Sequence, residues 1–534
     1  MREHFKAVVR PLAALLSALF TVLAFPKASI PYFGLVSLVP LLLAIRTVKP
    51  KHAFLLGWLM GAGTNIAGFY WISHTLTEFA GLPPYVAWIG VLLNGLYSGL
   101  LFGLWALGER IFQARFDLPS IVHGPALMAT LEWLFPLLFP WYLGDSQYNF
   151  LPLAQSAEVG GIILVTFLLV LFNCAVFDLI NGLFQGSVRK NLLKYLPSLI
   201  AILTVAVASI GGWARMRSLE TVISKAEKMK IGLIQVNVNH WDKMNPSKYR
   251  SILDKFMDLT HTATHDIGVD LVIWPETAVA FQIDLDDMKT PFWALSFDRP
   301  LITGGLSCKG ISCVKLTQPY YNSAFLFKPG FPLVGGVYHK NYPMLFSEYI
   351  PFGEDLPFIY KWFPYAGRFS RGKTTTVFKI RDWRIGPMIC YEDIIPRFGL
   401  ALAKHSPDVF VNLTNDSWFG NTAEPYQHMA LAVFRSIEHR KSLVRSTNTG
   451  ISCFIDPLGR IRKTSKLFTT QILVDSVPKM RIETIYSKYG DFVPIISLIF
   501  IVVLILLIVI ETRSKGALTD RIESRKTARK KDHT

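Results

Sequence analysis

Charge is scarce in the long apolar stretches of this 534-residue chain. The run from Phe492 to Ile510 contains none, and the runs crowding the chain up to Trp213 hold few ionisable side chains, Glu132 being the main one. A transporter lines its path with such groups, so the scarcity argues against one and leaves Glu132 to pack or hydrogen-bond between helices. His74, His428 and His439 lack metal-ligand spacing, which predicts hydrogen-bonded or solvated histidines, no metal and no cofactor. No nucleic-acid module is recognisable despite a net charge of +17, so no nucleic acid partner is expected. No internal repeat is present.

What the chain has in excess is apolar sequence: 51% hydrophobic residues and a mean hydropathy of +0.35 exclude an ordinary soluble enzyme. Seven apolar runs precede residue 214, namely Leu12–Phe25, Ile30–Ile45, Ala53–Ile72, Tyr85–Leu107, Ile121–Phe139, Gly161–Leu179 and Tyr195–Trp213. Phe492–Ile510 is an eighth, long enough for a hydrocarbon core of about 30 Å. Cations orient them, because Lys and Arg in short loops stay inside. Arg2, Lys6 and Arg10 precede the first run; Arg46, Lys49 and Lys51 follow the second; Arg110 and Arg115 follow the fourth; Arg189, Lys190 and Lys194 follow the sixth. The intervening loops are nearly free of cations. This alternation predicts a membrane domain of seven helices over 1–213, an outside domain over 214–491, an eighth span over 492–511 and a basic inside tail over 512–534 suited to an anionic leaflet. The start of the chain loosely imitates a signal peptide, but the second run follows at once, and a retained span is expected.

After Trp213 the apolar runs shorten to strand length. Candidate strands are 230–238, 270–274, 300–304, 322–327, 376–380, 384–390, 409–414, 442–448 and 451–456, with helical patterns over 247–264 and 424–440. Interleaved strands and helices predict a mixed α/β domain. Between Glu354 and Arg371 the aromatics Phe358, Trp362, Phe363 and Tyr365 crowd a stretch broken by proline and glycine. Beside a bilayer such a loop suits a lid or a lipid contact, with core packing as the plainer alternative. Cys308 and Cys313 stand as a disulfide or as two free thiols, while Cys174 and Cys453 read as packing residues.

Cys390 follows the apolar Ile385–Ile389 at a strand end, where a side chain projects from a rigid backbone. Upstream, Glu276 follows Leu271–Trp274 and Pro275, and Lys340 follows Tyr338-His339. A thiol, a carboxylate and an ammonium supply a nucleophile, a base and an oxyanion partner. Burial against Trp274 is expected to raise the Glu276 pKa, and the Lys340 ammonium to lower that of the thiol. Each residue alone reads as an ordinary surface or core position; their joint occurrence points to chemistry.

The order Trp-Pro-Glu276, Tyr-x-Lys340, Ile-Cys390-Tyr-Glu and Asn-Leu-Thr-Asn415-Asp416-Ser-Trp418-Phe419-Gly420 resembles the carbon–nitrogen hydrolase (nitrilase) superfamily. The membrane runs, with Leu131-Glu132-Trp133, Phe139-Pro140-Trp141, Ser146-Gln147 and Arg445–Ser452, narrow the resemblance to the apolipoprotein N-acyltransferase family. The resemblance implies an αββα sandwich beside a polytopic helical membrane domain. It implies Glu276 as base, Lys340 as oxyanion partner and Cys390 as nucleophile. Tyr391 and Glu392 become close neighbours, Asn415 and Trp418 supporting residues, and Glu348 a second glutamate by spacing, with Glu354 of Pro351–Glu354 as the alternative. It further implies a thioester route from a phospholipid donor to the amine of a diacylated apolipoprotein, in a monomer of the bacterial inner membrane with its catalytic domain periplasmic and both termini cytoplasmic. This chain departs from the family at Met344–Ser347, and where Leu-Arg-Gly often follows the Glu-Trp pair it has Leu134-Phe135-Pro136. A membrane-tethered amidase and a non-catalytic scaffold are the competing readings; eight spans weigh against the first and an intact triad against the second.

Overall fold

The computed structural model describes the backbone of residues 2–116, 118–185, 192–243, 245–279, 281–310, 313, 320–353, 355–361 and 366–531. The N-terminal part is helical: α1 (Arg2–Ala24), α2 (Pro50–Gly68), α3 (Ile72–Glu78), α4 (Pro84–Phe116), α5 (Ser120–Leu134), α6 (Ala157–Phe184) and α7 (Leu196–Lys225). Among the described residues four helices are long and apolar enough to cross a membrane: α4, α6, Leu193–Lys225 and Phe492–Arg513. The other apolar runs fall on shorter or more polar helices. The second divides into a 3₁₀ turn at Pro31–Val36 and a helix at Val39–Ile45. α2 carries Lys51, His52, Thr64 and Asn65. α5 stops at Leu134 because Pro136 holds Phe135 extended (φ −74°, ψ 121°). α7 runs past Trp213 to Lys225, since Ala214–Lys225 is rich in helix formers that need no bilayer around them.

α2 and α4 pack closely against each other, and glycine makes the approach possible. A Cβ on Gly61 would stand 2.7 Å from the Gly99 Cα, and one on Gly99 2.6 Å from the Ala62 nitrogen. Any larger side chain there must push the backbones apart.

From Lys228 the chain forms two sheets. The first holds β1 (Lys228–Gln235), β2 (Leu271–Ile273), β3 (Gln282–Asp284), β4 (Leu301–Cys308), β5 (Tyr320–Phe327) and β6 (Gly336–His339). The second holds β7 (Phe378–Ile380), β8 (Trp383–Ile389), β9 (Val409–Thr414), β10 (Ser442–Thr447), β11 (Cys453–Ile455) and β12 (Ile461–Thr464). β13 (Gln471–Pro478) returns to the first sheet antiparallel to β1, giving the order β13-β1-β2-β4-β5-β6 with β3 on β4. The second sheet runs β12-β11-β10-β9-β8-β7, with β8, β9 and β10 parallel.

Alternation of side chains explains the layering. Ile231, Leu233, Leu271, Ile273, Ala324 and Leu326 join Ile385, Ile389, Leu413 and Leu443 in one buried cluster between the sheets. Their neighbours Ile234, Val272, Trp274, Phe325 and Phe327 point the other way, onto Ile252 and Phe256 of α8 (Tyr249–His261). α9 (Pro396–Ala403) and α10 (Glu424–His439) contribute Phe398, Leu402, Val433 and Ile437 to the core against the second sheet. A nitrilase-like sandwich results. Cys308 and Cys313 are joined by a disulfide, with Cα atoms 5.1 Å apart.

α10 also joins this domain to the membrane helices. Near its start Gln427 accepts from Trp71 Nε1 at 2.9 Å and donates to the Gly68 carbonyl at 2.9 Å. Near its end Glu438 reaches α6, which breaks at Gly160 and Gly161 (φ +68°), and accepts the freed Ile162 N–H at 3.0 Å. Arg440, just past α10, pairs with Glu158 at 2.7 Å. The last helix, α11 (Phe492–Lys531), contains the apolar Phe492–Arg513.

Gly99→Leu is expected to destabilise the folded protein by about 1–3 kcal/mol through overpacking of α2 against α4. Thermal unfolding in detergent checks this, with Gly211→Ala, where a Cβ meets nothing within 4 Å, as the control that stays near the parent.

Candidate active site

Three strand ends converge between the sheets. β8 ends at Ile389, and Cys390 opens the 3₁₀ turn Cys390–Ile394 with φ +50°. A left-handed conformation in a residue with a Cβ costs of order 1–3 kcal/mol and persists only where its surroundings impose it. Asn412 on β9 imposes it here, accepting the Cys390 N–H at 3.1 Å and donating to the Cys390 carbonyl at 2.9 Å. Thr414 Oγ1 donates to the same Asn412 oxygen at 2.7 Å and fixes the amide's orientation. Cys390 is left 8% exposed.

Glu276, just beyond β2, and Lys340, just beyond β6, are 7% and 2% exposed. Lys340 Nζ lies 2.7 Å from Glu348 Oε2 and 3.4 Å from Glu276 Oε1. Asn322 on β5 stands between the acids, its Nδ2 donating at 2.7 Å to Glu276 and at 2.7 Å to Glu348. The Met344 N–H holds the other Glu348 oxygen at 2.7 Å. Glu348 therefore belongs to the cluster; the alternative, Glu354, lies outside the described residues.

Burial works against each charge, and the partners decide the outcome. Burial and the neighbouring Glu348 raise the Glu276 pKa, although Lys340 pulls it down. Burial disfavours the Lys340 ammonium, but Glu276 and Glu348 outweigh it and lift its pKa well above the ordinary value. For Cys390 the result corrects the sequence expectation. Lys340 does lower the thiol pKa, but burial and the Glu276 carboxylate exceed it, so the pKa stands well above the ordinary 9.0. The thiol is protonated at rest, beside a carboxylate shifted toward accepting its proton.

Glu392 ties the thiol's turn to the lysine's strand. Its Oε2 accepts the Ile389 N–H at 2.8 Å, while Oε1 accepts from the Tyr338 hydroxyl at 2.7 Å and the Asn341 N–H at 2.6 Å. Burial lifts its pKa to about 7 against the pull of these donors. Tyr391 points toward the membrane helices, its hydroxyl donating to the Leu138 carbonyl at 2.7 Å and its ring meeting Phe139 edge-on.

The remaining sequence candidates fall around this centre. Asn415 accepts from Asn448 Nδ2 at 3.1 Å. Trp418 packs on Phe79, 4.5 Å between ring centres, and its carbonyl accepts from Thr75 of α3, two contacts that lie on the membrane side. Phe358 is half exposed in the turn Pro357–Lys361, whereas Trp362, Phe363 and Tyr365 lie outside the described residues.

Sequence reasoning missed Asn322, Asn412 and Lys243. Lys243 Nζ reaches the Glu276 carbonyl at 3.4 Å, and burial lowers its pKa to about 8. It also missed a buried network behind the thiol. Asp393 pairs with Arg445 and with His428 Nε2 at 3.0 Å, and His428 Nδ1 stands 3.3 Å from Asp416 and 3.6 Å from Glu424. Asp416, Glu424 and His428 converge closely enough to hold a cation, yet Arg445, also near Asp416, and a protonated His428 already supply the positive charge there. Burial and Arg445 oppose that proton, but the flanking carboxylates raise the His428 pKa to about 10. A thiol, a shifted carboxylate and a fixed ammonium in a shielded site can together open an ester or amide carbonyl.

Residues 17–175 match the family described as apolipoprotein N-acyltransferase N-terminal domain, and residues 230–486 match carbon–nitrogen hydrolase. An apolipoprotein N-acyltransferase of Geobacter metallireducens is 32% identical over 499 residues, covering 90% of this chain and 91% of that protein. One from Bdellovibrio bacteriovorus is 31% identical over 441 residues, covering 78% of each.

Asn412→Ala is expected to release the Cys390 turn and lower kcat about 10²-fold with little change in KM, measured by acylation kinetics on protein of unchanged circular dichroism. The raised His428 pKa stabilises the fold fully below pH 6.5, an effect lost as pH rises through about 10. The difference in Tm between parent and His428→Gln should therefore be largest near pH 6 and narrow toward pH 10.

Proposed function

The chain belongs to the apolipoprotein N-acyltransferase family, and from that premise we propose that it moves an acyl chain from a phospholipid to the N-terminal amine of a diacylglyceryl cysteine on apolipoproteins. Cys390 carries the acyl group between the two. In the first half, the Cys390 sulfur attacks the ester carbonyl while Glu276 takes its proton, and Lys340 stabilises the oxyanion. The ester C–O bond breaks, a thioester forms, and the lysophospholipid leaves with the proton from Glu276. In the second half, the α-amine attacks the thioester, Glu276 accepts its proton, the C–S bond breaks, and Glu276 returns that proton to the Cys390 sulfur to restore the thiol. An α-amine with a pKa near ~8 is partly neutral at working pH, so a buried carboxylate suffices as base.

The observation that carries this reading is the bonded Glu276–Lys340–Glu348 cluster beside a cysteine turn whose next residue, Tyr391, bonds to the membrane domain. An amidase acting on a small soluble amide has no use for a site joined to helices in this way. Shielding from water favours attack by the amine over hydrolysis. The reading includes a monomer in the bacterial inner membrane; its eight spans, periplasmic α/β domain and cytoplasmic termini are supported by the alternation of basic loops. Glu348 is assigned to holding Lys340, Glu392 to holding the turn, and the loop bearing Phe358 to a lid or lipid contact.

Intact-protein mass spectrometry after incubation with phospholipid should show one acyl adduct, absent in Cys390→Ala and discharged by a diacylated lipopeptide. Ammonia release from small amides, with no adduct and no lipopeptide product, would overturn the assignment.

A further inference from the structure

A cavity of about 400 Å³ opens between the ends of α5 and α6 and the loop following Lys340. Leu134 and Phe135 contribute apolar wall from the membrane side; Tyr349, Tyr391 and two arginines, Arg371 and Arg397, line it from the α/β side. Tyr391 is the residue after Cys390, and Tyr349 follows Glu348, so the cavity borders the two segments that hold the thiol and the lysine. Tyr349, Lys340 and Cys390 all act on the ionisation of Tyr391, which places the four groups close together.

The two guanidiniums are held differently. Arg397 stacks over Trp133 at 4.9 Å and has a carboxylate partner, Asp491, at 3.6 Å. Asp491 is also engaged by Trp133 Nε1 at 2.9 Å and by the Tyr486 hydroxyl at 3.0 Å. Arg371 stacks over Tyr349 at 4.3 Å and donates to its hydroxyl, both neutral partners. Glu132, the other acid in the lining, accepts from the Leu143 N–H at 2.7 Å. Among the described residues the α/β wall thus carries two cations and one carboxylate that is already engaged. Guanidinium forks match phosphate oxygens, and the apolar wall suits the lipid attached to them.

We propose that Arg371, together with Arg397, binds the phosphodiester of the acyl donor in this cavity, so that the donor's glyceryl ester is presented to Cys390. This rests on the reading of a phospholipid as donor. Recognition is of the phosphodiester rather than the alcohol beyond it, because both arginines match the phosphate oxygens shared by all such donors.

The test compares Cys390 acylation by phosphatidylglycerol and by a p-nitrophenyl ester of the same acyl chain, which lacks phosphate, in one detergent. Arg371→Ala should lower kcat/KM at least tenfold with phosphatidylglycerol and less than twofold with the p-nitrophenyl ester, and Arg371→Lys should recover part of the loss. Equal losses with both donors, or none with either, overturn the subsite alone. A parent enzyme acylated by the p-nitrophenyl ester but not by phosphatidylglycerol overturns the donor reading and the subsite together.

Discussion

One carboxylate ties together the parts on which the site depends. Glu392 accepts hydrogen bonds from the turn that carries Cys390 and from the segment around Lys340, which belong to opposite sheets. Two packed sheets have only side-chain contacts to fix their relative position, and apolar contacts alone tolerate sliding. A buried acid with donors from both sides sets that position by geometry. It is costly to bury, as its raised pKa shows, and the surrounding donors offset that cost. Lys340 then needs only its two glutamates to be aimed.

The same economy appears in α10. A single helix of the α/β domain bonds the end of α2 and Trp71, just before α3, through Gln427, contributes His428 to the network behind the thiol, and caps the broken α6 through Glu438. Its buried polar residues therefore face both domains at once. The membrane helices and the catalytic sandwich share this element rather than meeting across a simple apolar seam, and Tyr391 adds a further bond beside the reacting group.

Much of this was legible in the sequence. Glu276 and Cys390 each follow a short apolar run, Lys340 stood out only through its place in the Tyr-x-Lys motif, and β9 was legible to the residue because Val409–Thr414 is buried throughout. β3, β6, β12 and β13 were not seen, since short or half-exposed strands carry little hydrophobic signal. The network of Asp393, His428, Asp416 and Arg445 was hidden for a different reason: charged residues are ordinarily solvated, and only tertiary packing shows them paired with one another. The direction of the Cys390 pKa was missed because sequence shows which charges are present and not how completely water is removed from them. Asn412 looked like any polar residue in a strand until the left-handed Cys390 beside it was visible.

α7 continues from the apolar run through Trp213 to Lys225, and β1 begins at Lys228. An α-helix advances about 1.5 Å and turns about 100° per residue, so this stem sets both the height and the rotational phase of the sandwich over the helices. A single inserted residue in Ala214–Lys225 would turn the whole domain by more than a quarter revolution, tearing Gln427, Glu438 and Tyr391 from their partners together. The stem acts as a keyed shaft rather than a tether.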